Sequence, residues 1–474
     1  MTAAIRTLRS ATLLSLAFVA SCAHYVPRPL SPRRSIVAFD ARSLNSRGLR
    51  AFLIANGVRP PGPSDVWNLK SLTLAAFYFQ PSLAEARARL LAAQAARATA
   101  AERPNPSVTL APGYDRGVPG AVSPWIVPLT MDWPVETAGR RADRLARARH
   151  LAAAKRWELV GTVWQTRRHL RTALLDLYSA RTTAALLARK LSAQRMVVKL
   201  LTGQFAAGTV SSFVVTQARI ALDGTRLDRQ AAAAQVQQAQ IQLAGALGLA
   251  PHALRRVRLD FSDLKILPRD LTRPQVRQAA LLDRSDVRAA LEQYAASQSA
   301  LKLQIARQWP DIHLGPGFIW NSQLVRDTQW QLGLSLPLPI MNRNQGPIAE
   351  ARADRRLAAA HFLAVQARAL GQIDSAVAGY HSALHAATTA DSLLKNLRRQ
   401  LQSVRAQLDA GEIQPLDLEN AKVAFDTGAQ NRLAAWIEAQ QALGRLEDAV
   451  QSPITLALAS VRAAQDGPAD PENP

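Results

Sequence analysis

Histidine pairs and carboxylate clusters are the groups in this sequence whose spacing suggests chemistry. His381 and His385 lie four residues apart, so both imidazoles would share one face of a helix, a spacing that can bind a metal ion. No third ligand lies near them in the sequence, and we therefore expect surface or interhelical histidines rather than a metal site. The sequence also contains no nucleophile elbow, phosphate-binding loop or zinc cluster. It predicts neither an enzyme nor a cofactor.

A cluster of acidic side chains lies in the second half of the chain. Asp409, Glu412, Asp417 and Glu419 fall within about three helical turns. Copies of the chain around a pore would repeat these acids as rings, which bind cations and can form salt links that hold a narrow opening shut. We take Asp409, Asp417 and Asp426 as candidate gate residues that face the lumen. The alternative is that they are solvated acids at the start of a helix, where negative charge is favoured.

These acids lie in a stretch that the chain contains twice. The first copy runs from Gln204 to Ala218 and the second from Gln407 to Ala421, with glutamine, Ala-Gly, β-branched and alanine residues in register. Gly208 and Gly411 predict helix ends, since glycine enters the left-handed conformation freely, and Pro415 suits a first helical turn. Each copy is predicted to be the tip of a long helical hairpin. Two copies about 200 residues apart indicate a duplicated unit.

Between the helical patterns, apolar residues fall on every second position, which predicts strands. The four strands are expected at about 106–115, 124–133, 311–320 and 328–337. Pro134 and Pro339 are predicted to mark the breaks between strand and long helix. The sequence therefore predicts a mainly α protein of duplicated long helical hairpins with a four-strand β contribution.

The strands carry apolar residues on one face and small or polar residues on the other, which fits a transmembrane β-barrel. In the last strand Trp330, Leu332 and Leu334 would face lipid, and Gln331 and Gly333 would face the lumen. Open edges are not tolerated in lipid, so four strands must close with copies of themselves. The sequence thus predicts an oligomer. The alternative is a small soluble sheet that caps a helical bundle.

Helix lengths predict how the two halves fit together. Each descending helix has about 65 residues, roughly 100 Å, whereas each return helix after a tip has only about 36. We expect the next helix, Gln275 to Gln308, to complete the first return helix. The helical region from Trp67 to Glu102 has the length to complete the second. The N-terminal helices should then pack beside the C-terminal one.

The N-terminus has the pattern of an export signal. Arg6 and Arg9 precede an apolar run from residue 11 to residue 20, which is too short to span a bilayer. The run ends in Val19-Ala20-Ser21-Cys22, which resembles a bacterial lipobox and predicts that Cys22 is lipidated as the mature N-terminus. The alternative is an ordinary signal followed by a chance cysteine.

These patterns divide the chain into six parts. They are a signal at 1–21, a lipidated extended linker at 22–65, a first repeat at 66–250, a connector at 251–274, a second repeat at 275–452 and a flexible tail at 453–474. The tips lie at 204–213 and 407–416. The net charge of +23 comes mostly from arginines scattered at helical spacing, which indicates a solvated helix surface rather than a nucleic-acid site.

The chain resembles outer-membrane efflux proteins of the TolC family over nearly all of its mature length. The resemblance rests on the opening Trp67…Leu72-Thr73-Leu74-Ala75…Pro81, the two strand pairs, the paired Ala-Gly tips and the segment Pro339-Ile340-Met341-Asn342-Arg343-Asn344-Gln345-Gly346. That last segment and the lipobox look most like the lipoprotein outer-membrane components of three-part pumps, including heavy-metal exporters.

The resemblance implies a homotrimer in the outer membrane, with a twelve-stranded barrel above a twelve-helix periplasmic tunnel. It also implies a periplasmic adaptor and an inner-membrane pump, most similar to the RND type. The adaptor-docking residues it implies are Gly208, Thr209, Val210 and Ser211 in the first tip and Gly411, Glu412, Ile413 and Gln414 in the second. Such a protein is a passive exit duct for small toxic compounds or metal ions. Two alternatives stay open: the exit duct of a type I protein secretion system, and a coiled-coil lipoprotein without a pore.

Overall fold

The computed structural model describes residues 24–62, 66–117, 124–268, 282–321 and 327–452. The predicted signal, the lipidated Cys22 and the tail 453–474 lie outside these residues. Residues 24–42 belong to a unit of their own, in which Ser31 caps helix α1 (Pro32–Asp40). All elements described below belong to the second unit, from Ser43 onward.

Helices make up most of the second unit. In chain order they are α2 (Arg47–Ala55), α3 (Leu69–Phe79), α4 (Pro81–Ala101), α5 (Arg140–Ala206), α6 (Ser212–Leu247), α7 (Ser285–Ala306), α8 (Gln345–Asp409) and α9 (Pro415–Val450). The two descending helices, α5 and α8, have 67 and 65 residues, and each returns as a helix of 36 residues. Among the described residues, no helix combines the length and the apolar character needed to cross a membrane.

The strands form two sheets. In chain order they are β1 (Val66–Trp67), β2 (Ser107–Leu110), β3 (Gly113–Tyr114), β4 (Trp125–Val135), β5 (Arg258–Leu259), β6 (Ile312–Asn321) and β7 (Asp327–Ser335). Strands β1 and β5 pair in parallel, and this small sheet ties the connector to the start of the first repeat. The large sheet is antiparallel in the order β2-β4-β6-β7, with β3 also paired to β4.

The register of the large sheet brings apolar residues of different strands onto one face. Leu129 pairs with Phe318, which in turn pairs with Trp330. The Phe318 and Trp330 ring centroids lie 5.0 Å apart, a distance typical of favourable aromatic pairs. Trp330 is 83% exposed, so the described part of the protomer does not cover this apolar face.

The largest apolar core lies where α3 packs between the helices of the first repeat. Leu72 and Phe77 are fully buried there, with Leu174 of α5 beside them in the same cluster. Leu49 and Leu53 of α2 belong to this core as well. The prediction that residues 22–65 form only an extended linker is therefore wrong in this part, because α2 buries one apolar face.

The predicted order of helix stacking is also wrong. Return helix α6 ends against α4, where Gln80 Nε2 donates to the carbonyl oxygens of Gly245 (2.8 Å) and Ala246 (2.7 Å). Return helix α9 ends against α7, where Arg284 Nη1 donates to Ala449 O (2.7 Å). Each short helix is thus completed by the helix that begins the same repeat, not by the next one along the chain. The expectation failed because it assumed that sequence neighbours stack.

A substitution at Gly248, which ends α6, tests the first of these junctions. This glycine has φ +72°, and a Cβ there would lie 2.8 Å from the carbonyl oxygen of Phe79. Gly208 has φ +74° but open space around the same position, so it is a matched control. We expect Gly208→Ala to lower the free energy of unfolding by about 1 kcal/mol through backbone strain alone, and Gly248→Ala by about 1–3 kcal/mol more through overpacking. Thermal unfolding followed by the helical circular-dichroism signal measures both. Equal losses of unfolding free energy in the two variants would mean that the close approach to Phe79 does not affect stability.

Candidate functional site

The two hairpin tips have the same backbone geometry. Gly208 and Gly411 both adopt left-handed conformations, with φ of +74° and +77°. In the first tip Thr209 N donates to Gln204 O, and in the second Glu412 N donates to Gln407 O, each at 2.9 Å. These bonds satisfy carbonyl groups left open at the ends of α5 and α8. They form when the residue after the helix is left-handed, and this explains why glycine follows alanine in both copies.

The tips lie side by side in one protomer. Gln204 Nε2 of the first tip donates to Gln414 Oε1 of the second at 2.8 Å. Gly208, Thr209, Ser211, Gly411, Glu412 and Gln414 are exposed, whereas Val210 and Ile413 are half-buried. The residues predicted for docking are thus brought together as one exposed surface. Whether a partner uses that surface stays a prediction.

The acids of the second tip have different environments. Asp417 Oδ2 accepts a hydrogen bond from Gln414 N (3.1 Å), as an acid in the first turn of a helix commonly does. Glu419 accepts from Lys422 Nζ at 2.7 Å. Asp409 and Glu412 are exposed and form no ion pair with any residue that the structure describes. These two acids are therefore the ones left free to act on ions or on a neighbouring molecule.

The prediction that Asp426 faces the lumen is wrong in this protomer. The residue is only 6% exposed and lies between α5 and α9, where Arg189 Nη2 comes within 3.3 Å of its Oδ1. Burial raises the pKa of Asp426, and the positive charges of Arg189 and Lys190 oppose this shift. Asp426 therefore links the two hairpins within one chain. The sequence did not reveal this because the arginine partner lies more than two hundred positions away.

The strand-to-helix breaks differ in part from the prediction. Pro134 does not end β4: it pairs with His313, and the strand continues to Val135. The chain turns at Ala138 and Gly139, both with positive φ. Pro339 does lie in a break, after β7 ends at Ser335.

The second break is held by the segment that precedes α8. Asn344 has φ +61° at the N-cap, and its Nδ2 donates to Gln304 O at 2.7 Å. Asn342 Oδ1 accepts from Asn344 N at 2.8 Å. Asparagine tolerates the left-handed conformation better than most residues, so the asparagines explain how the chain leaves the sheet and enters a helix.

A buried polar network was missed by the sequence reasoning. Arg167 Nη2 donates to Glu447 Oε2 at 2.8 Å, and both side chains are almost fully buried. Arg171 donates to Gln440 O (2.7 Å) and to Gln440 Oε1 (2.8 Å). The network joins the middle of α5 to the last three turns of α9. Buried charges require partners of this kind because desolvation of an unpaired charge is highly unfavourable.

Asp448 lies beside this network. Burial raises the pKa of Asp448 to about 6, although Arg168 and Arg167 act against the shift. Its closest cation, Arg168, has Nε at 3.7 Å from Asp448 Oδ2, which is too long for a hydrogen bond. The Asp448 carboxylate is thus poorly compensated in its charged form.

The His381 and His385 pair gains no third ligand. Among the described residues, no group of three or more histidine, cysteine, aspartate and glutamate side chains is arranged to hold a metal ion. His381 packs against Tyr380, with ring centroids 6.3 Å apart, and His385 is exposed.

Solved structures that share this arrangement of hairpins and sheet include outer-membrane channels. The chain is similar to the outer membrane protein VceC of Vibrio cholerae, with a TM-score of 0.65, 19% identity, and coverage of 81% of this chain and 96% of that one. It is similar to the outer-membrane channel OprN with a TM-score of 0.66, 20% identity, and coverage of 91% and 98%. The fold is that of this class of channel.

The family follows from the sequence itself. Residues 79–249 and 276–450 match the family described as outer membrane efflux protein, and the chain belongs to that family. The chain is also 23% identical over 221 residues to the cobalt-zinc-cadmium resistance protein CzcC of Cupriavidus metallidurans. That alignment covers 47% of this chain and 52% of that protein, so the chain spans about half the length of the curated relative it matches. The two family matches correspond to the two predicted repeats.

Asp448 generates a prediction about pH. Its folded pKa of about 6 lies above the ordinary 3.8, so the charged form is disfavoured by folding. The resulting loss of stability is small near pH 4, grows between pH 4 and pH 6, and levels off above pH 6 at about 3 kcal/mol. We expect Asp448→Asn to match the parent protein at pH 4 and to unfold at higher temperature at pH 7.5. Asp354→Asn, at an exposed acid of α8, should leave the unfolding temperature unchanged at both pH values. A gain for Asp448→Asn that is the same at both pH values would contradict the assignment.

Proposed function

We propose that this chain is the outer-membrane component of a tripartite efflux system, a passive exit duct built from three copies. Each copy supplies four strands to a barrel and a set of long helices to a periplasmic tunnel. Energy and selection come from an inner-membrane pump of the RND type, coupled through a periplasmic adaptor. The observation that carries this proposal is a protomer with apolar surfaces that find no partner among the residues the structure describes.

The sheet is the first of these surfaces. Its edge strands β2 and β7 each have one edge without a strand partner among the described residues. Unpaired edges are not tolerated in lipid, and the exposed apolar face is suited to lipid. Closure with neighbouring copies satisfies both conditions. A coiled-coil lipoprotein without a pore would have no use for such a face.

Helix α6 is the second surface. Val215, Leu222 and Leu243 are buried against the rest of the protomer. On the opposite side Phe213, Ile220, Leu227 and Ile241 are exposed, with an alanine at the remaining heptad position. A strict seven-residue apolar spacing is the pattern of a helix-packing seam. A helix with seams on two sides has two helical neighbours, and we propose that the second belongs to another copy.

The hairpin tips supply the docking end of the duct. The two turns of one protomer present Gly208 to Ser211 beside Gly411 to Gln414, with Val210 and Ile413 half-buried between exposed polar groups. In a trimer this surface repeats three times around the opening. We propose that it meets the adaptor, and that the free acids Asp409 and Glu412 contribute negative charge to the entrance. Asp417 acts mainly as a helix cap.

The cargo follows from the relative rather than from a binding site. The similar protein CzcC is named for resistance to cobalt, zinc and cadmium. We propose metal ions or small toxic compounds as the exported class and no catalytic activity for the chain. A type I protein secretion duct would use the same architecture, and no feature of the described residues favours it. Lipidation of Cys22 is part of the proposal as a second anchor in the outer membrane.

The α6 seam gives a test of assembly. The double variant Ile220→Lys with Leu227→Lys puts charge into the seam at residues that are exposed in the protomer, so the protomer fold should survive. Gln235→Lys adds a lysine to the same helix about 100° around from the seam. We expect the double variant to shift from trimer to monomer in light scattering after size-exclusion chromatography. The control should remain trimeric. A trimeric double variant of unchanged melting temperature would rule out this seam as the interface.

The tips give a test of docking. Deletion of Gly411 to Pro415 should reduce metal or drug resistance to that of cells lacking the chain, because the partner surface is removed while the sheet is untouched. Outer-membrane fractionation checks that the variant is still inserted. Full resistance after the deletion would reject docking at the tips.

A milder variant separates shape from charge in the same assay. Glu412→Thr gives the second tip the residue that the first has at the same position, Thr209, and leaves the Gln204–Gln414 hydrogen bond in place; both tips share one turn geometry. We expect the exchange to preserve resistance largely if turn shape governs docking, and to reduce it severalfold if the acid is required. Loss as complete as in the deletion would indicate that the turn itself had been disturbed.

A further inference from the structure

The two helix junctions of the protomer are related by the internal repeat but differ in what they contain. The α6–α4 junction is closed by direct contact of Gly248 with the backbone of Phe79. The α9–α7 junction lies beside an open cavity of about 710 Å³, between α5 and α8. Duplication alone would make the two junctions alike, so the two have diverged.

The floor of this cavity is rigidly built. Arg284 is 5% exposed and binds Asp286 through two hydrogen bonds, at 3.0 and 2.7 Å. It also donates to Gln372 Oε1 of α8 at 2.9 Å. Ser285 N donates to Gln451 Oε1 at 2.7 Å. The junction thus holds its shape by satisfied polar contacts, and no movement is needed to form the cavity.

The mouth of the cavity carries excess positive charge. Arg284 is compensated by Asp286, which leaves Arg168, Arg368 and Arg445 against the single carboxylate of Asp448. Arg368 makes no hydrogen bond or ion pair with any described residue. Arg168 reaches Asp448 only at 3.7 Å. Arg445 bonds Glu438 Oε1 (2.5 Å), which does not line the cavity.

Small residues keep the cavity open beneath these arginines. Gly161, Gly371 and Gly379 line it, together with Ser375 and Ala376. Side chains at Gly371 and Gly379 would meet no atom within 4 Å, so the space there is free rather than filled by a neighbour. Glycine in a helix interior is unfavourable by about 1 kcal/mol relative to alanine.

We propose that this cavity binds a small doubly charged oxyanion of the sulfate or phosphate class, held by Arg168, Arg368 and Arg445. Guanidinium groups bind such anions through paired N–H donors, and the arginines that line the cavity outnumber its carboxylates by four to two. The bound anion bridges α5, α8 and α9 at the junction. A lipid headgroup is a poorer source of this chemistry, since Arg368 lies about 35 Å along α8 from the end nearest the sheet.

Asp448 couples this site to pH. The charged groups that act on it or line the same cavity are Arg167, Arg168 and Arg171 of α5, Asp286 of α7 with the preceding Arg284, Arg368 of α8, and Arg445 and Glu447 of α9. Burial raises the pKa of Asp448 to about 6. Below that pH the carboxyl is neutral and the mouth gains a net positive charge, so the anion binds more tightly.

Isothermal titration of the full chain with sodium sulfate tests the proposal, in phosphatidylcholine nanodiscs and with ionic strength held constant by sodium chloride. Sulfate keeps its charge between pH 5 and 7.5, so any pH effect belongs to the protein. We expect saturable binding of one sulfate per protomer. Arg368→Gln should weaken it roughly tenfold, whereas Arg356→Gln, at an exposed arginine of the same helix, should leave it unchanged. Asp448→Asn should tighten binding at pH 7.5 and not at pH 5.

Three results would overturn the proposal. If titration of the parent protein with sulfate releases the same heat as titration with chloride, no site exists, whatever the variants do. Equal weakening by Arg356→Gln and Arg368→Gln would show general screening of a basic surface. An Arg368-dependent effect that requires phosphatidylglycerol in the nanodisc would assign the cavity to a lipid headgroup.

Discussion

The ends of the two short return helices impose the constraint on which the rest of the protomer depends. A return helix of 36 residues is much shorter than its neighbour of 65 or 67 residues, so its last carbonyl groups lie in the middle of the structure. They must find donors there. Gln80 and Arg284 supply them from the start of the upper helices. Each long helix is thereby flanked by a stacked pair, and the sheet and the tips are held at opposite ends.

The two repeats solve this problem with different chemistry. In the first, the Gln80 side chain supplies the donors, glycine at the end of α6 allows backbone to approach backbone, and the surrounding core is apolar. In the second, arginine and glutamine side chains make the connection and bring buried charge with them. Glu447 is then needed to compensate Arg167, and Asp448 is left with a raised pKa. A duplicated backbone has therefore given one junction surrounded by an apolar core and one that holds buried charge.

The features that could be predicted from the sequence are those with a local signal. Alternating apolar residues located the strands, and apolar residues at helical spacing located the long helices. The Ala-Gly pairs located both turns. All three kinds of signal depend on residues within a few positions of one another. Helix stacking and the burial of Asp426 depend on partners more than 150 positions away in the chain. Periodicity carries no information on such pairs. Helix α2 was missed because nine residues with three buried positions are too few to establish a period.

The unmatched surfaces lie at two levels of the same protomer, and this limits how copies can assemble. The open edges of the sheet and the apolar seam of α6 belong to one connected chain, so a neighbouring copy that pairs with β7 also lies at a fixed distance from the hairpins. A single rotation must satisfy both levels. An open helical arrangement would leave unpaired strand edges in lipid at each end, whereas a closed ring leaves none. The requirement to satisfy backbone groups thus operates twice: at the helix junctions within the protomer and at the sheet edges between protomers.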